Sequence, residues 1–274
     1  RMDHSQCYKA NVSSRILKYM TLGAGFSVFN REPLYKYSYR LNSAENISVT
    51  SSDFTFSEAS VVIRYAYGEK FMKNTRSILS LGTNYPIIQF AAIHGFNNVL
   101  GGQYVYNRFD FKISKSFFIK FLGTTSFAFE SGIIDRDIPY VNLYNAKAAF
   151  ISFNLYSPGS FATMRMNEFT SDRYASLFLS HNFGTLLFKS KYFSPEPELV
   201  TNIGIGSLSH PENHLDQDVK SFNKGYFESG IVLNKLIRLG VTDLGFGWFY
   251  RYGPYALPTA NENMAFKVAF QFVF

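Results

Sequence analysis

The sequence predicts an all-β fold, a transmembrane antiparallel outer-membrane β-barrel with about twelve strands in this chain. Of the 274 residues, 18% are aromatic and only 17% are charged, yet the mean hydropathy is −0.07. The apolar residues lie in short runs, whereas a membrane-spanning helix needs about 20 consecutive apolar residues. They also alternate with polar residues in segments close to the roughly 9–11 residues of a tilted membrane-spanning strand.

The alternation is clearest in the middle of the chain. Phe109 and Phe111 alternate with Arg108, Asp110 and Lys112, so one face of this strand is apolar and the other is charged. The same pattern recurs in residues 60–68, 118–130 and 243–252. A water-soluble sandwich also alternates, with its apolar face inward. Here the polar face mixes charges of both signs with Gly, Ser and Thr, as expected for a hydrated lumen.

The candidate strands follow one another along most of the chain. They run approximately over residues 16–29, 34–41, 54–68, 76–82, 87–95, 103–115, 118–130, 161–169, 174–183, 199–206, 226–234, 241–252 and 265–274. Residues 76–95 count as one strand interrupted near Pro86, and single-chain bacterial barrels have even strand numbers, which gives about twelve. If the chain is part of a larger barrel, further strands lie upstream.

The domain organisation follows from these strands. Residues 1–15 are expected to form an N-terminal lead-in, and residues 16–274 the barrel. Long loops are expected near 132–158 and 207–223, and short turns at 73–75 and 114–116.

The last segment of the chain carries the strongest pattern. One face of this strand is wholly apolar, and it consists of Phe266, Val268, Phe270, Phe272 and Phe274. The other face is mostly small or polar. Strict alternation closed by a terminal phenylalanine is typical of the C-terminal insertion signal of outer-membrane barrels, so we expect the barrel-assembly machinery as a partner during insertion.

The polar faces, together with a charged stretch at residues 164–184, supply a candidate lumen or gating network. Its members are Arg64, Arg108, Asp110, Lys112, Lys120, Glu130, Arg165, Glu168, Asp172, Arg173 and His181. In an open channel, the basic residues of the lumen would be Arg64, Arg108, Lys112, Lys120, Arg165 and Arg251.

Glu168, Asp172 and His181 of the charged stretch could instead form a hydrolytic site. No nucleophile elbow or phosphate-binding loop accompanies them in the sequence. We therefore favour a network in which carboxylates and arginines satisfy one another.

Two histidines in the loop near 207–223 have the spacing of a helical metal-binding pair. Pro211 separates His210 from His214, and Glu212 lies one position late for an H-E-x-x-H motif. A solvated loop is therefore expected. Cys7 is the single cysteine, which excludes an internal disulfide, and no metal or other cofactor is expected.

Three segments resemble a family of large Bacteroidota outer-membrane proteins. They are GTNYPIIQF at 82–90, ESGIIDRDIPYVNLYN at 130–145 and MNEFTSDRYASLFLSHNFG at 166–184, and YFESGIVLNKL at 226–236 is similar to a later strand. The best-matching positions are Gly82, Tyr85, Pro86, Gly132, Pro139, Tyr140, Glu168, Phe169, Asp172, Arg173, Tyr174 and His181. In that family, a carboxypeptidase-regulatory-like β-sandwich precedes a barrel of unknown function, and the sandwich is not in this sequence. The resemblance implies a barrel in the outer membrane and assigns no activity to these residues.

The favoured function is a non-enzymatic component of envelope transport or assembly machinery in the bacterial outer membrane. The alternative is a porin-like diffusion channel with a weak anion preference, since the net charge is +7. The expected partners are outer-membrane lipid and lipopolysaccharide, along with other envelope proteins. Nucleic acid is not expected, because no clustered basic stripe or nucleic-acid-binding motif occurs.

Overall fold

The computed structural model describes residues 3–33, 36–42, 47–49, 53–73, 78–149, 155–188, 190, 193–215, 218–239 and 242–272. Its strands are β1 (Asp3–Leu17), β2 (Met20–Pro33), β3 (Ser38–Asn42), β4 (Ile47–Val49), β5 (Phe54–Ala66), β6 (Phe71–Lys73), β7 (Ile78–Ser80), β8 (Ile87–Phe96), β9 (Tyr106–Ile119), β10 (Gly123–Ile134), β11 (Tyr144–Asn145), β12 (Thr170–Ser171), β13 (Arg173–Asn182), β14 (Glu196–Ser207), β15 (His214–Leu215), β16 (Phe222–Leu239), β17 (Thr242–Tyr252) and β18 (Met264–Phe272). Three 3-10 turns occur at Tyr140–Asn142, Pro211–Asn213 and Ala260–Asn263. Among the described residues, none of the helical segments could cross a membrane, being too short and too polar.

One antiparallel sheet of eleven strands dominates the described part of the chain. Its order is β1-β2-β5-β8-β9-β10-β13-β14-β16-β17-β18, so neighbours in space follow each other in sequence. The predicted all-β fold with a large antiparallel sheet is thus confirmed. Strands β1 and β18 are the two edges, and in the described residues they do not pair with each other.

The two faces of the sheet differ as the alternation predicts. On β18, Phe266 and Phe270 are 52% and 51% exposed, whereas Lys267 between them is 1% exposed. On β17, Trp248 is half-exposed and Arg251 is buried. The apolar side chains thus form the outer face, and the polar side chains form an inner face, which we call the lumen face.

The connections differ between the two ends of the sheet. Tight turns join β1 to β2 and β9 to β10 at one end, called the turn end. The long connections 135–172 and 208–221 lie at the opposite end, called the loop end. The asymmetry is partial, because the connections 67–86 and 183–195 at the turn end are also long. The short turn expected at 73–75 lies mostly outside the described residues.

The strand boundaries depart from the prediction in several places. Residues 3–15, expected as a lead-in, belong to β1, which pairs with β2 from Asp3 to Leu17. The turn expected at 114–116 occurs instead at 120–122, between β9 and β10. There Phe121 has φ +67° and Gly123 has φ +116°, a backbone region that reverses the chain and that alternation of side chains does not report.

Three expected barrel strands lie outside the large sheet. Strand β3, in the expected strand 34–41, pairs with β4 and β15, and β7, in the expected strand 76–82, pairs with β6. Residues 161–169 form no strand of the sheet. Ten of the thirteen expected segments lie in the large sheet, and β1 adds a strand that the prediction lacked, so the sheet has eleven strands instead of about twelve.

Candidate functional site: the lumen face and the segment that fills it

A polar row crosses the lumen face from strand to strand. The paired residues in register are Thr21, Arg64, Gln89, Lys112, Glu130, Ser176, Gly204 and Tyr226. Residues that are directly opposite on neighbouring strands project to the same side of a sheet. The row therefore places cations, a carboxylate and hydroxyls along one continuous inner surface.

The connection between β10 and β13 packs against this surface. Its described residues 138–149 and 155–169 are here called the lumen segment. Phe161 and Met164 of this segment are fully buried, and Phe161 packs on Phe178 and Tyr226 of the lumen face. The segment therefore occupies the lumen and shares a hydrophobic core with its wall.

Glu228 of β16 holds the centre of the lumen segment. Its carboxylate accepts hydrogen bonds from the backbone N–H groups of Ala162 and Thr163, at 2.7 and 2.9 Å. The Thr163 hydroxyl donates at 2.6 Å, and the Asn202 side chain donates at 2.7 Å. Glu228 is 0% exposed, and a buried carboxylate is tolerated only when such donors satisfy it. Three of these bonds fix the segment to β16, and the fourth joins β16 to Asn202 of β14.

A second carboxylate joins the lumen segment to the wall at Glu130. Lys112 Nζ lies 2.8 Å from Glu130 Oε1, and Lys147 of the lumen segment pairs with Oε2. Glu130 is buried, but both lysine side chains stay partly exposed. One carboxylate thus connects an ammonium group of the wall with an ammonium group of the lumen segment.

A third attachment pairs Glu168 of the lumen segment with Arg251 of β17. Arg251 Nη1 donates to Glu168 Oε1 at 2.9 Å, and the Arg251 side chain is 3% exposed. Its guanidinium also lies 4.8 Å from the ring centroid of Tyr226. Charge pairing and ring contact therefore hold this cation inside the wall.

Near the loop end, Asn142 of the lumen segment completes a polar cluster. Its amide donates to Tyr106 Oη at 2.6 Å and to Glu58 Oε1 at 3.1 Å, and Tyr106 also bonds to Glu58. Also at the loop end, the buried Tyr37 hydroxyl lies 2.8 Å from Nδ1 of His214. Burial raises the pKa of Tyr37, which keeps its hydroxyl protonated.

The lumen segment also reaches the free edge of the sheet. Leu155 forms an isolated parallel bridge with Val268 of β18, and the Tyr156 N–H donates to the Val268 carbonyl at 2.8 Å. The Tyr156 ring stacks on Phe249 of the lumen face, with 5.3 Å between centroids. The segment thereby pairs with an otherwise open strand edge at one point.

Two chambers remain between the lumen segment and the turn end. The upper chamber has a volume of about 520 Å³ and reaches Tyr156 and Lys147. The lower chamber, of about 680 Å³, extends to Phe121 in the turn between β9 and β10. Ser126 and Ser180 line both, so the two chambers adjoin.

Most residues predicted to face the lumen do so. Those on the lumen face of wall strands are Arg64, Arg108, Asp110, Lys112, Glu130 and Arg251. Arg165 and Glu168 lie on the lumen segment instead, and Asp172 is buried at the start of β13. Their role as a gating network stays a prediction.

Three predicted lumen residues lie elsewhere. Lys120 is exposed in the turn, with its Nζ 4.9 Å from the Phe121 ring centroid, because the chain reverses before Gly123. Arg173 and His181 are on the outer face of β13, in register with the outward-facing Ile133 and Leu199. The alternation of β13 therefore removes both from the lumen.

The alternative hydrolytic group is not assembled. Asp172 and His181 lie at opposite ends of β13, about 30 Å apart at roughly 3.3 Å per residue. His181 Nδ1 lies 2.8 Å from the Thr125 hydroxyl, on the outer face. Among the described residues, no group of three or more His, Cys, Asp or Glu side chains could hold a metal ion.

The histidine loop is only partly solvated. His210 is exposed and pairs with Glu212 at 3.0 Å, as a solvated loop would predict. His214 is 8% exposed and packs in the aromatic cap with Tyr37 and Tyr39, which corrects the expectation for this residue. These aromatic neighbours come from β3 and from the residue that precedes it, both within the segment 34–41 that was predicted as a wall strand.

Sequence reasoning missed the residues that hold the lumen segment. Glu228 alternates with the outward-facing Phe227, so strand alternation could have identified it as a lumen carboxylate. Lys147 and Asn142 lie in a segment without period-two alternation, so no local pattern places them in the lumen. Their positions follow only from the tertiary contacts.

The fold is similar to that of a solved protein. The crystal structure of BamA from Haemophilus ducreyi lacking POTRA domains 1–3 superimposes with a TM-score of 0.60 at 10% sequence identity. The match covers 98% of this chain and 53% of that chain, so the present chain spans about half the length of the solved protein. At this identity the likeness shows the fold alone.

Sequence comparison gives the family. No curated protein matches the chain. Residues 4–215 match the C-terminal domain of a family of unknown function, DUF5686. This match includes β1 to β15, and with them the lumen segment and its Glu130 attachment. The chain belongs to the DUF5686 family of unknown function, in its C-terminal domain.

Proposed function

We propose that the chain is the barrel region of an outer-membrane protein that serves as a plugged, non-enzymatic component of envelope transport or assembly machinery. The observation that carries the proposal is the lumen segment fixed across the lumen by the buried Glu228. A diffusion channel requires a continuous water path, which a buried segment of this kind opposes. The Bacteroidota origin and the preceding β-sandwich domain implied by the resemblance are part of this proposal.

The outer face supports placement in a lipid bilayer. Phe90, Phe111, Ile205, Trp248 and Phe266 each keep more than a third of their surface exposed. Such a broad apolar exterior around a charged interior is unfavourable in water and favourable in lipid. Outer-membrane lipid and lipopolysaccharide are the proposed contacts of this face.

The C-terminal strand supports a proposed insertion signal. Phe266, Val268 and Phe270 project from the outer face of β18. Phe272 ends β18, with its side chain outside the described residues, and Phe274 lies outside them altogether. We expect the barrel-assembly machinery to recognise this strand during insertion. Truncation before Met264 should abolish insertion, as measured by outer-membrane fractionation, and normal assembly would refute the signal.

Conductance measurements test the plug. In planar bilayers the purified full chain should show little steady ionic current, because the lumen segment fills the lumen on its loop-end side. Combining Glu228→Ala with Arg251→Met removes two attachments and should increase the open time. Glu32→Gln is the control, since Glu32 is half-exposed and its ion pair among the described residues is with His4, at 3.7 Å.

The porin alternative predicts a different result. Its specific support is the pair of partly exposed lysines, Lys112 and Lys147, beside the upper chamber. A steady current in the unmodified protein, with ion selectivity that changes in Arg108→Glu and Lys112→Glu, would favour the channel over the plugged component.

Affinity capture tests the machinery assignment itself. A natively tagged protein, extracted in mild detergent, should bring down other envelope proteins in fixed stoichiometry. A tagged porin of the same cells is the control for nonspecific capture. Recovery of the barrel alone would contradict a role as a machine component.

A further inference from the structure

The upper chamber contains more positive than negative charge at its polar wall. Lys112 and Lys147 share the single carboxylate of Glu130, so one positive charge is left without a counter-charge within this group. The two lysine side chains are 40% and 50% exposed, and both line the chamber. An ammonium group has three N–H donors, and one shared carboxylate leaves several of them available. The group is therefore suited to a further anion.

Hydroxyl groups continue the polar wall below these lysines. Ser114, Ser116, Ser126 and Ser180 line the upper chamber, and the Ser116 and Ser126 hydroxyls lie 2.8 Å apart. Hydroxyls both donate and accept, so they can bind the oxygens of a phosphate, carboxylate or glycerol group.

The lower chamber opens past apolar side chains. Phe118 follows Ser114 and Ser116 on the lumen face of β9, yet it is 74% exposed. Phe121 is 76% exposed and has φ +67°, a backbone conformation that is unfavourable for a bulky residue. Leu186, which also lines this chamber, is 53% exposed. Exposed apolar surface around an open entrance is stabilised when another apolar group covers it.

We propose that the two chambers bind an amphiphile with an anionic head group. The head lies between Lys112 and Lys147, and the apolar chain runs through the lower chamber to Phe118 and Phe121. Lys112 and Phe118 are on the same strand, about 20 Å apart at roughly 3.4 Å per residue. A long acyl chain in extended conformation has a comparable length. This site goes beyond the proposed function, which requires no bound small molecule.

Native mass spectrometry of the full chain in a nonionic detergent tests the site. The probes are myristoyl lysophosphatidic acid, myristoyl lysophosphatidylcholine and glycerol 3-phosphate. The first should form a saturable one-to-one complex, and the other two should bind more weakly. Replacing Lys112 and Lys147 by Met should weaken the binding of the anionic amphiphile roughly tenfold or more, because two charge-assisted contacts are lost.

Matched variants separate the two parts of the site. Lys120→Met removes a lysine outside both chambers and should leave binding unchanged. The double variant Phe118→Ser, Phe121→Ser should weaken the binding of lysophosphatidic acid and leave the binding of glycerol 3-phosphate unchanged. Lys112→Arg keeps the charge and should restore most of the affinity. The heat-dependent gel migration of each variant shows whether the barrel has folded.

Three results would overturn the proposal. Equal affinity for glycerol 3-phosphate and the anionic amphiphile would assign a soluble phosphate instead. Equal affinity for the zwitterionic lysophosphatidylcholine would show that the site does not require an anionic head group. If Lys120→Met weakens binding as much as the loss of Lys112 and Lys147, the complex forms outside the chambers. None of these results depends on ion current or on captured proteins, so they leave the proposed function to its own tests.

Discussion

Arg251 of the wall and Glu168 of the lumen segment form an ion pair, with 2.9 Å between Nη1 and Oε1. Both side chains are largely buried, at 3% and 18% exposure. Arg251 belongs to the wall, whereas Glu168 belongs to the segment inside it. The pair therefore makes the position of the lumen segment dependent on a charged contact in the interior.

Removing one partner of this pair should be costly. Arg251→Met leaves Glu168 without its cation and should lower the free energy of unfolding by about 3 kcal/mol, since a buried charge loses its partner. Glu168→Gln added to Arg251→Met should recover part of that loss. Urea unfolding of the four proteins of this cycle measures the coupling. Strictly additive effects would show that the two groups do not interact in solution.

Glu228→Gln should loosen the centre of the lumen segment. The replacement puts an amide N–H₂ where the carboxylate accepted from Ala162 and Thr163, which costs about 1–3 kcal/mol for the unsatisfied donors. Hydrogen exchange at these two amides should accelerate roughly tenfold or more through local opening. Exchange in β9 should remain unchanged.

Glu32→Gln serves as the control for Glu228→Gln. It removes a carboxylate whose side chain is half-exposed and lies at the loop end of β2. Protection at Ala162 and Thr163 should then match that of the unmodified protein. Unchanged protection in Glu228→Gln itself would mean that other contacts hold the segment.

A lysine on the outer face should be poorly tolerated. Phe111 projects outward in the middle of β9, so Phe111→Lys should cost about 2–4 kcal/mol in a bilayer. Ser114→Lys, on the lumen face of the same strand, should cost much less because residue 114 lines the upper chamber beside other polar and charged groups. Folding yields into lipid vesicles compare the two. Equal yields would contradict the assignment of the outer face to lipid.

The pKa of His210, at the loop end, should lie above its ordinary value. The hydrogen bond with Glu212, and then the charge of Asp137, raise the pKa of His210 from 6.5. Because the folded-state pKa is raised, this group stabilises the fold fully below about pH 6.5 and loses that contribution as the pH rises through the folded value. Imidazole NMR signals measure the shift. Glu212→Gln should lower the pKa of His210, and Glu32→Gln should not.

The faces of the wall strands follow from the local sequence alone. Alternation correctly placed Arg64, Arg108 and Lys112 inward and Phe109 and Phe111 outward, because in a strand the side-chain direction depends only on position along the chain. The same local rule failed at Lys120, where the turn interrupts the count. At His181 the alternation of β13 itself points outward, opposite Leu199, and the lumen prediction did not follow it.

Only the tertiary structure decided what fills the lumen. The residues around Asn142 and Lys147 have no repeating pattern, and Thr163 lies in a segment whose pattern predicted a wall strand. The partners of all three lie far away in sequence. A buried carboxylate such as Glu228 requires donors, but the sequence does not say which backbone groups supply them. The identity of those donors depends on how the connection between β10 and β13 returns into the sheet, and that path is set by packing between distant residues rather than by local periodicity.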